Sequence, residues 1–334
     1  MNKIVGFLLL LCVIASGVAG ICMEMYRESV PASAGSVVEV LVFPGQSARE
    51  IASEFERAGA VTSAAQLAKW MSRAGIDRKM IPGVYRVTAG RPKDVALELA
   101  TIKPEVPTIT ILPGALFEEI AASLGREDGG ISLGEALGRD ENFPAALRPL
   151  LPGGNTDRTV YLAPETYAFD PGDGLADGLV RAASDMWWKL HGEYIPPKAT
   201  SGDMTSLGIL ASIVQKEALI DSDRTIIAGV FKNRLKNDMP LQSCATVVYA
   251  WRMRGVKITT VSYNDVKIDS PFNTYIHKGL PPENIGTPSA GSWKAALRSA
   301  DTDMLFFFAK ADGSHVFTRT YKEHLAAQKS AAGK

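Results

Sequence analysis

The chain has 334 residues and a formal net charge of zero, because its 36 lysines and arginines equal its 36 aspartates and glutamates in number. This balance argues against nucleic acid as a partner, since proteins that bind a phosphate backbone carry an excess of basic side chains. Two of the three cysteines lie in an apolar N-terminal run, so the rest of the chain has no pair to form a disulfide. The four histidines lack the spacing of a metal site, and we expect neither a metal nor a cofactor.

The N-terminus predicts a membrane segment. Residues 4–23 form an uncharged, mostly apolar run that is long enough, as a helix, to cross a bilayer core of about 30 Å. Lys3 precedes the run, which favours a cytoplasmic N-terminus and puts the remainder outside the cytoplasm. We therefore predict a single transmembrane anchor over residues 1–23 and a linker over residues 24–36. A cleaved signal peptide stays open as the alternative, because small residues cluster between Ala15 and Gly20.

Residues 37–104 predict a small α+β module. Short runs with alternating apolar residues are typical of strands, and segments with a 3.6-residue apolar period are typical of helices. The predicted order is a strand over residues 38–43, a helix from Ser47, a helix over 64–74, a strand over 83–87 and a helix over 93–102. Such a module serves either for packing and spacing or for binding an extended glycan or peptide, and both possibilities stay open.

Residues 105–330 predict a second, larger domain. Its first strand, over residues 108–112, is followed by a helix. Glycine and proline are frequent in residues 126–160, which predicts irregular structure there. Further along we expect helices over residues 173–191 and 224–236, a loop-rich stretch beyond Met239, and a β-hairpin with strands over 304–309 and 316–319.

One carboxylate in this domain falls on an apolar helix face. A helix is predicted to begin near Thr205, and its apolar residues, among them Leu210 and Val214, recur at three- and four-residue steps. Glu217 continues that stripe, whereas Gln215 and Lys216 point away from it. A carboxylate among apolar neighbours has a raised pKa and is suited to act as a general acid. A structural glutamate, paired with an arginine or capping a loop, is the alternative.

The remaining motifs narrow the chemistry. The chain contains no phosphate-binding glycine loop and no G-x-S-x-G elbow. Its downstream loops are rich in amides, hydroxyls and aromatic rings, which suit a sugar. Glycoside cleavage usually needs two carboxylates, and Asp265 and Asp269 are only weak candidates for the second. One acid suffices if the substrate carries its own nucleophile.

The order of several motifs resembles the YceG-like family, the membrane-bound endolytic murein transglycosylases. The resemblance includes the active-site helix around Glu217 and extends over nearly the whole chain beyond the linker. The residues that carry it are 161–167, 210–218, 230–235, 241–243, 246–249, 270–275 and 279–282. The family resemblance implies an α+β chain with a single N-terminal transmembrane helix, a LysM-like module over residues 37–104 and a mixed α/β catalytic domain over 105–330, with the active-site glutamate on a helix.

The resemblance also implies a function and its site. The family cuts glycan strands between N-acetylmuramic acid and N-acetylglucosamine and leaves a 1,6-anhydro end, with Glu217 as the catalytic acid here. Gln242, Asn273 and Tyr275 are expected to orient sugars or to support the acid. The matched motifs add further candidates for substrate binding, which are Thr274, Tyr249 and Glu165. The expected partners are peptidoglycan strands, the cytoplasmic (inner) membrane and cell-wall synthases. A membrane-tethered, non-catalytic glycan-binding or scaffold protein is the alternative.

Three departures from the family pattern bear on the site. Many relatives carry a second glutamate at the position of Gln215, so its absence assigns the acid role to Glu217. Where the family commonly shows Asp-Pro or Asp-Ala, this chain has Cys244 and Ala245, which leaves the role of Cys244 open. Residues 159–160, Thr-Val, replace a frequent Glu-Gly, so the local turn is expected to differ.

Overall fold

The structure is a computed structural model that describes residues 30–43, 45–124, 132–169 and 174–332. The predicted anchor over residues 1–23 and the first part of the predicted linker lie outside these residues. Within the described ranges, no helix is both long and apolar enough to span a bilayer. The fold is α+β, and the chain divides into two compact units between Pro107 and Thr108.

Among its described residues, 30–43 and 45–107, the first unit has one antiparallel sheet of two strands and three helices. Strand β1 pairs with β2 in a register that sets Val37 opposite Thr88 and Val42 opposite Gly83. Its core consists of apolar side chains from every element, including Val40, Phe55, Leu67 and Tyr85. The elements are β1 (Val37–Val42), α1 (Ala48–Arg57), α2 (Ala64–Arg73), β2 (Gly83–Thr88) and α3 (Pro92–Leu99).

Local sequence explains where these helices begin. Ser47 caps α1, its hydroxyl accepting from the N–H of Glu50 while the Glu50 carboxylate accepts from the N–H of Ser47. Ser63 caps α2 in the same way through its hydroxyl, and α3 starts at Pro92, whose missing N–H needs no partner at a helix start. The five predicted elements of this unit are confirmed, with ends displaced by a few residues.

The second unit is built mostly of helices, with two separate antiparallel strand pairs, β3–β4 and β5–β6. Strands β3 and β4 are far apart in the chain and set Thr108 opposite Ala168. The elements are β3 (Thr108–Thr110), α4 (Phe117–Ser123), α5 (Leu133–Gly138), β4 (Thr166–Ala168), α6 (Leu175–His191), α7 (Ser201–Glu217), α8 (Arg224–Lys236), α9 (Cys244–Met253), α10 (Ala290–Leu297), β5 (Phe306–Ala309), β6 (His315–Thr318) and α11 (Tyr321–Ala332).

Helix α7 forms the centre of this unit and packs against α8, α9 and α10. It begins at Ser201, four residues before the predicted start, because Thr200 and Asp203 form a capping box there. Every residue from Gly208 to Val214 is buried, so the apolar face is wider than the predicted stripe. The one polar side chain in that stretch, Ser212, donates to Ile209 O and accepts from the N–H of Ile285, which satisfies its hydroxyl.

The predictions of irregular structure hold in part. The described residues of 126–160 include helix α5 and short 3-10 segments, so the prediction is wrong there. Beyond Met239, the predicted loops over residues 241–243, 269–275 and 279–282 contain no helix or strand, as expected, and α9, α10 and α11 lie between and after them. Helices α5 and α10 have only 6 and 8 residues, which is too short for a clear apolar period. They are held instead by serine caps, Ser132 and Ser289, and by burial of Leu137 and Trp293 against the rest of the unit.

Candidate active site

Three consecutive side chains fix the C-terminal end of α7, each to a different segment. The Oε1 atom of Gln215 accepts from the N–H of Ser289 at 3.0 Å. The ammonium of Lys216 donates to the carbonyl of Gly114 at 2.7 Å. The Oε1 atom of Glu217 accepts from the hydroxyl of Ser243. Lys216 and Gln215 thus point away from the Glu217 side, as predicted, but both are engaged by the protein.

The loop beneath Lys216 depends on a close backbone approach. Gly286 has a φ of 140°, and a Cβ at this position would lie 2.6 Å from the carbonyl oxygen of Gly114. The same carbonyl accepts the hydrogen bond from Lys216. Any other residue at position 286 would displace this oxygen, so glycine is required for the contact that holds the helix end.

Glu217 lies at the N-terminus of a second helix. Ser243 is the N-cap of α9, and besides its hydroxyl the backbone N–H of Ala245 also donates to the Glu217 carboxylate. These donors and the positive end of the helix dipole favour the charged form. Burial has the larger, opposite effect, and the pKa of Glu217 is raised above its usual value; a positive charge on His315 lowers it in part. The acid therefore holds its proton to higher pH than an exposed glutamate, and donors are ready for the carboxylate.

Thr274 positions Ser243. Its hydroxyl accepts from the N–H of Ser243 at 3.0 Å and lies 2.9 Å from the hydroxyl of Thr246, which in turn donates to the carbonyl of Ser243. The side chain of Thr274 is buried and braces the donor to Glu217. A substrate-binding role for Thr274 stays a prediction.

Asn273 is likewise a brace. It is fully buried, and its amide donates to the carbonyls of Val266 at 2.9 Å and Ile268 at 2.8 Å. Its Oδ1 accepts from the N–H of Tyr275 at 3.0 Å. With its amide engaged inside the loop, Asn273 supports the position of Tyr275, and its expected role in orienting a sugar stays a prediction.

Tyr275 and Gln242 remain accessible beside the acid. The hydroxyl of Tyr275 lies 3.1 Å from the Cys244 sulfur, and burial together with Cys244 and the charge of Glu217 raises the pKa of the Tyr275 hydroxyl, which stays protonated at neutral pH. Gln242 is exposed, has a φ of 53°, and accepts at Oε1 from Arg234 at 3.3 Å. Arg234 also donates to Leu241 O, so it holds the turn that leads to Ser243.

Tyr249 and Glu165 lie apart from this cluster. The Tyr249 ring packs 4.8 Å from the Phe272 ring, and burial with the charge of Glu118 raises its pKa to about 12. It sits about one and a half turns beyond the end of α9 that meets Glu217. Glu165 is exposed, and its carboxylate accepts from the N–H of Thr166 at 3.0 Å, next to β4. The contacts described for these two residues do not include Glu217.

The weak candidates for a second carboxylate have other roles. Asp265 accepts from the N–H of Ser262 at 2.7 Å, and this bond with that of the Ser262 hydroxyl holds its pKa below the usual value. Asp269 is exposed. Within the part of the chain that the structure describes, no group of three or more histidine, cysteine and acidic side chains is arranged to hold a metal ion.

Sequence reasoning missed a hydrogen-bonded pair of polar side chains in the second unit. The Nδ1 atom of His315, at the start of β6, lies 2.9 Å from Oδ2 of Asp223, the residue that precedes α8. From the sequence, His315 has a conceivable role only as a metal ligand. The contact between Asp223 and His315 joins residues 92 positions apart in the chain, and no spacing rule in the sequence predicts it.

The model of the YceG-like family matches residues 40–330. The endolytic murein transglycosylase of Bacillus subtilis (strain 168) is 31% identical over 316 residues, which cover 89% of this chain and 85% of that protein. A protein of the same name from Streptococcus pneumoniae (strain D39) is 28% identical over 355 residues, 96% of this chain and 63% of that protein. The chain thus spans less than two thirds of the pneumococcal relative.

A solved structure agrees with the fold. The crystal structure of a YceG-like protein from Listeria monocytogenes superposes with a TM-score of 0.55, covering 87% of this chain and 98% of that chain at 24% sequence identity. At this identity the likeness concerns the fold alone. The family model matches most of this chain, and the Bacillus relative is aligned over most of both proteins. The chain therefore belongs to the YceG-like family.

Proposed function

We propose that this chain is an endolytic lytic transglycosylase that cuts peptidoglycan glycan strands between N-acetylmuramic acid and N-acetylglucosamine and leaves a 1,6-anhydro end. The observation that carries the proposal is the environment of Glu217, a half-buried carboxyl with a raised pKa whose charged form meets two hydrogen-bond donors. The relatives from Bacillus subtilis and Streptococcus pneumoniae are both named endolytic murein transglycosylases, which supports the same substrate.

The reaction needs one acid that later acts as a base. Glu217 donates its proton to the bridging oxygen while the bond from that oxygen to C1 of the muramyl residue breaks and positive charge develops on the sugar ring. The 6-hydroxyl of the same sugar then attacks C1, and its proton passes to the Glu217 carboxylate. Glu217 ends protonated as it began, no water is consumed, and the missing second carboxylate is not required.

The neighbours of Glu217 fit both halves of this cycle. Burial keeps the proton on the acid before the cut. Once the proton has left, the Ser243 hydroxyl and the Ala245 N–H stabilise the carboxylate without any rearrangement. We assign sugar contact to the accessible Gln242 and Tyr275, and the bracing of Ser243 and Tyr275 to Thr274 and Asn273.

We further propose that residues 1–23 are an uncleaved anchor in the inner membrane, with the N-terminus cytoplasmic and the catalytic domain periplasmic. The apolar length of residues 4–23 and the position of Lys3 support this. In this arrangement the LysM-like module over residues 37–104 grips glycan, and the enzyme releases new strands near the synthases at the membrane. Retention of the chain in alkali-washed membranes, and release of a variant lacking residues 2–23, would test the anchor.

The central test is the variant Glu217→Gln. The amide introduced by this substitution keeps an oxygen that can accept from Ser243, so we expect an unchanged fold, but it cannot serve as the acid. Cleavage of defined, uncrosslinked glycan strands should fall by about 10²-fold or more. The matched control is Glu141→Gln, at an exposed glutamate elsewhere in the same unit, which should cleave as the wild type does.

Mass spectrometry of the products decides the reaction class. Muropeptides with 1,6-anhydro ends are expected, and ordinary reducing ends would show a hydrolase instead. If wild type and Glu217→Gln both bind glycan and neither cuts it, the chain is a binding or scaffold protein and the proposed activity is excluded.

A further inference from the structure

The start of helix α9 is joined to a neighbouring loop by three successive contacts. The backbone N–H of Gln242 donates to the carbonyl of Thr274 at 3.0 Å, and the N–H of Ser243 donates to the Thr274 hydroxyl, also at 3.0 Å. One residue further along each segment, the Cys244 sulfur lies 3.1 Å from the Tyr275 hydroxyl oxygen. The two segments therefore run side by side, and the third contact is made by two side chains.

Cys244 lies between the two donors to the acid. Ser243, which precedes it, donates its hydroxyl to the Glu217 carboxylate, and the backbone N–H of Ala245, which follows it, donates to the same carboxylate. The Cys244 side chain is exposed and meets Tyr275. One short segment thus fixes both the acid and the tyrosine beside it.

The contact with Cys244 decides where the hydroxyl of Tyr275 points. At the other end of this residue, the backbone N–H donates to Oδ1 of Asn273 at 3.0 Å. The half-buried ring packs against a small apolar cluster that includes Val247 and Ile268. These two interactions set the position of the ring, but a phenol hydroxyl still rotates about its C–O bond. Among the contacts described for Tyr275, the one with the Cys244 sulfur fixes that rotation.

Both partners in this contact are uncharged at neutral pH. Partial burial of the sulfur raises the pKa of the Cys244 thiol, and burial likewise raises the pKa of the Tyr275 hydroxyl. Because a thiol is only a weak donor, the hydroxyl is the donor and the sulfur the acceptor. The oxygen of Tyr275 then presents its lone pairs to a further donor. A glycan carries such donors in its hydroxyl and acetamido N–H groups.

We propose that Cys244 is a positioning residue for Tyr275: its sulfur accepts from the Tyr275 hydroxyl and so turns the oxygen of that hydroxyl to accept from a hydroxyl or acetamido N–H group of the glycan. The proposal rests on the function proposed above, which assigns sugar contact to Tyr275. Cys244 itself forms no bond with the sugar. Because Tyr275 holds the sugar both before and during bond cleavage, loss of its orientation affects KM and not kcat.

The variant Cys244→Ala tests this role through the division between KM and kcat. Alanine suits a helix, so α9 and the donors at Ser243 and Ala245 should stay in place. For defined, uncrosslinked glycan strands, KM should rise about two- to tenfold, the effect of one lost hydrogen bond, while kcat changes less than about twofold. Met253→Ala, at an exposed residue in the last turn of α9, is the matched control and should keep both constants. A fall in kcat at constant KM would overturn the proposal, because the sulfur would then act on the acid.

The variant Tyr275→Phe shows whether the sulfur acts through the tyrosine. Phenylalanine keeps the ring and removes the oxygen, so KM should rise at least as much as in Cys244→Ala. In the Tyr275→Phe background, Cys244→Ala should change KM no further, because there is no hydroxyl left to orient. An equal effect of Cys244→Ala in both backgrounds would contradict the pair. Cys244→Ser, whose oxygen can accept, should recover part of the lost affinity, and no recovery would contradict the hydrogen bond.

Binding measurements distinguish this inference from the proposed function. The same substitutions can be made in Glu217→Gln, and the Kd for the glycan strands measured without turnover. If wild type makes anhydro ends and Cys244→Ala changes neither KM nor Kd, the positioning role is overturned while the function stands. If wild type binds glycan and makes no anhydro ends, the function fails, and a Kd raised by Cys244→Ala only where Tyr275 is present still supports the positioning role. If the chain does not bind glycan, both fail.

Discussion

At the scale of single residues, the pKa of Glu217 reflects two opposing effects, burial and donated hydrogen bonds. Burial raises its pKa and is the largest effect, while Ser243, Ala245 and His315 each lower it. An acid with burial alone would hold its proton too firmly to give it up. The donors keep the charged form accessible, so the same side chain can serve as acid and then as base.

This balance predicts the effect of Ser243→Ala. Loss of the hydroxyl removes a donor to the carboxylate, so the pKa of Glu217 should rise further and the falling limb of kcat/KM should move to higher pH. The plateau of kcat should fall by about tenfold or more, as for the loss of one donor to a developing charge. Ser206→Ala is the control, because Ser206 is exposed on the same helix as Glu217. A limb that moves to lower pH would contradict this account of the site.

The sequence could predict Glu217 but not its partners. The phase of an amphipathic helix puts a side chain on a face, and that face is buried here as expected. The hydrogen bond from Ser243 to Glu217 joins residues 26 positions apart, and the bond from Ser243 to Thr274 joins residues 31 positions apart. A periodic pattern within one helix cannot predict contacts over such separations. Asn273 is an attractive candidate because amides bind sugars, yet the fold uses its amide for its own loop.

At the scale of elements, prediction from the sequence succeeds where the apolar period of a helix is clear and fails where tertiary contacts decide the structure. The predicted helix over residues 224–236 coincides with α8 at both ends, because a 13-residue apolar period is unambiguous. Helix α9 follows a loop motif, and of its residues only Thr246, Val247 and Ala250 are buried. Its first turn is instead held by Thr274, so the tertiary contacts decide that this segment is helical.

Helices α6 and α10 meet in a buried aromatic group. The rings of Trp187 and Trp293 lie 4.9 Å apart, and Tyr161 packs 4.9 Å from Trp187. His191, one turn beyond Trp187, joins them at 5.3 Å, and burial lowers its pKa to about 4. The imidazole is therefore neutral in the folded protein at neutral pH.

His191 predicts a loss of stability in mild acid. Its pKa is about 4 in the folded state against 6.5 for the ordinary group, so between these values the unfolded chain binds the extra proton. Stability should fall as the pH drops through 6.5 toward 4. In His191→Gln, which does not titrate, the melting temperature should decline less between about pH 7.5 and about pH 5.

The control for this measurement is His277→Gln, at an exposed histidine, which should keep the slope of the wild type. If the melting temperature changes with pH to the same extent in all three proteins, protonation of His191 is not the cause of the loss of stability in acid.

At the scale of the whole molecule, each of the two units has its own core. The first centres on Phe55, Leu67 and Met71, and the second on residues such as Trp187 and Phe231. Of the five tryptophans, Trp70 lies in the first unit and the others in the second. The order of predicted strands and helices indicates an α+β fold, which the structure shares, whereas the division between Pro107 and Thr108 is defined by contacts between residues that are distant in the chain.

Separate cores predict separate responses to a core cavity. Phe55→Ala removes a fully buried ring and should cost the first unit about 3–5 kcal/mol of its free energy of unfolding. Unfolding in urea is followed by tryptophan fluorescence, and the signal of Trp70 is obtained by difference from the variant Trp70→Phe. In Phe55→Ala, the midpoint of the Trp70 transition should move to lower urea concentration, while the midpoint for the other tryptophans should stay unchanged.

Leu97→Ala, at an exposed apolar residue of α3, is the control and should cost less than about 0.5 kcal/mol. If Phe55→Ala moves both fluorescence changes together, the two units unfold as one cooperative body.

The acid is carried by the last residue of a helix, the place where helices fray most readily. Here fraying is prevented from outside, by a glutamine, a lysine and a glutamate that reach three different segments. An engineer who wished to retune the enzyme would therefore leave the helix itself alone. Adjusting the length of one of the two neighbouring anchors, Gln215 or Lys216, would tilt the reactive group by small steps without rebuilding the scaffold, whereas Gly286 must be left alone.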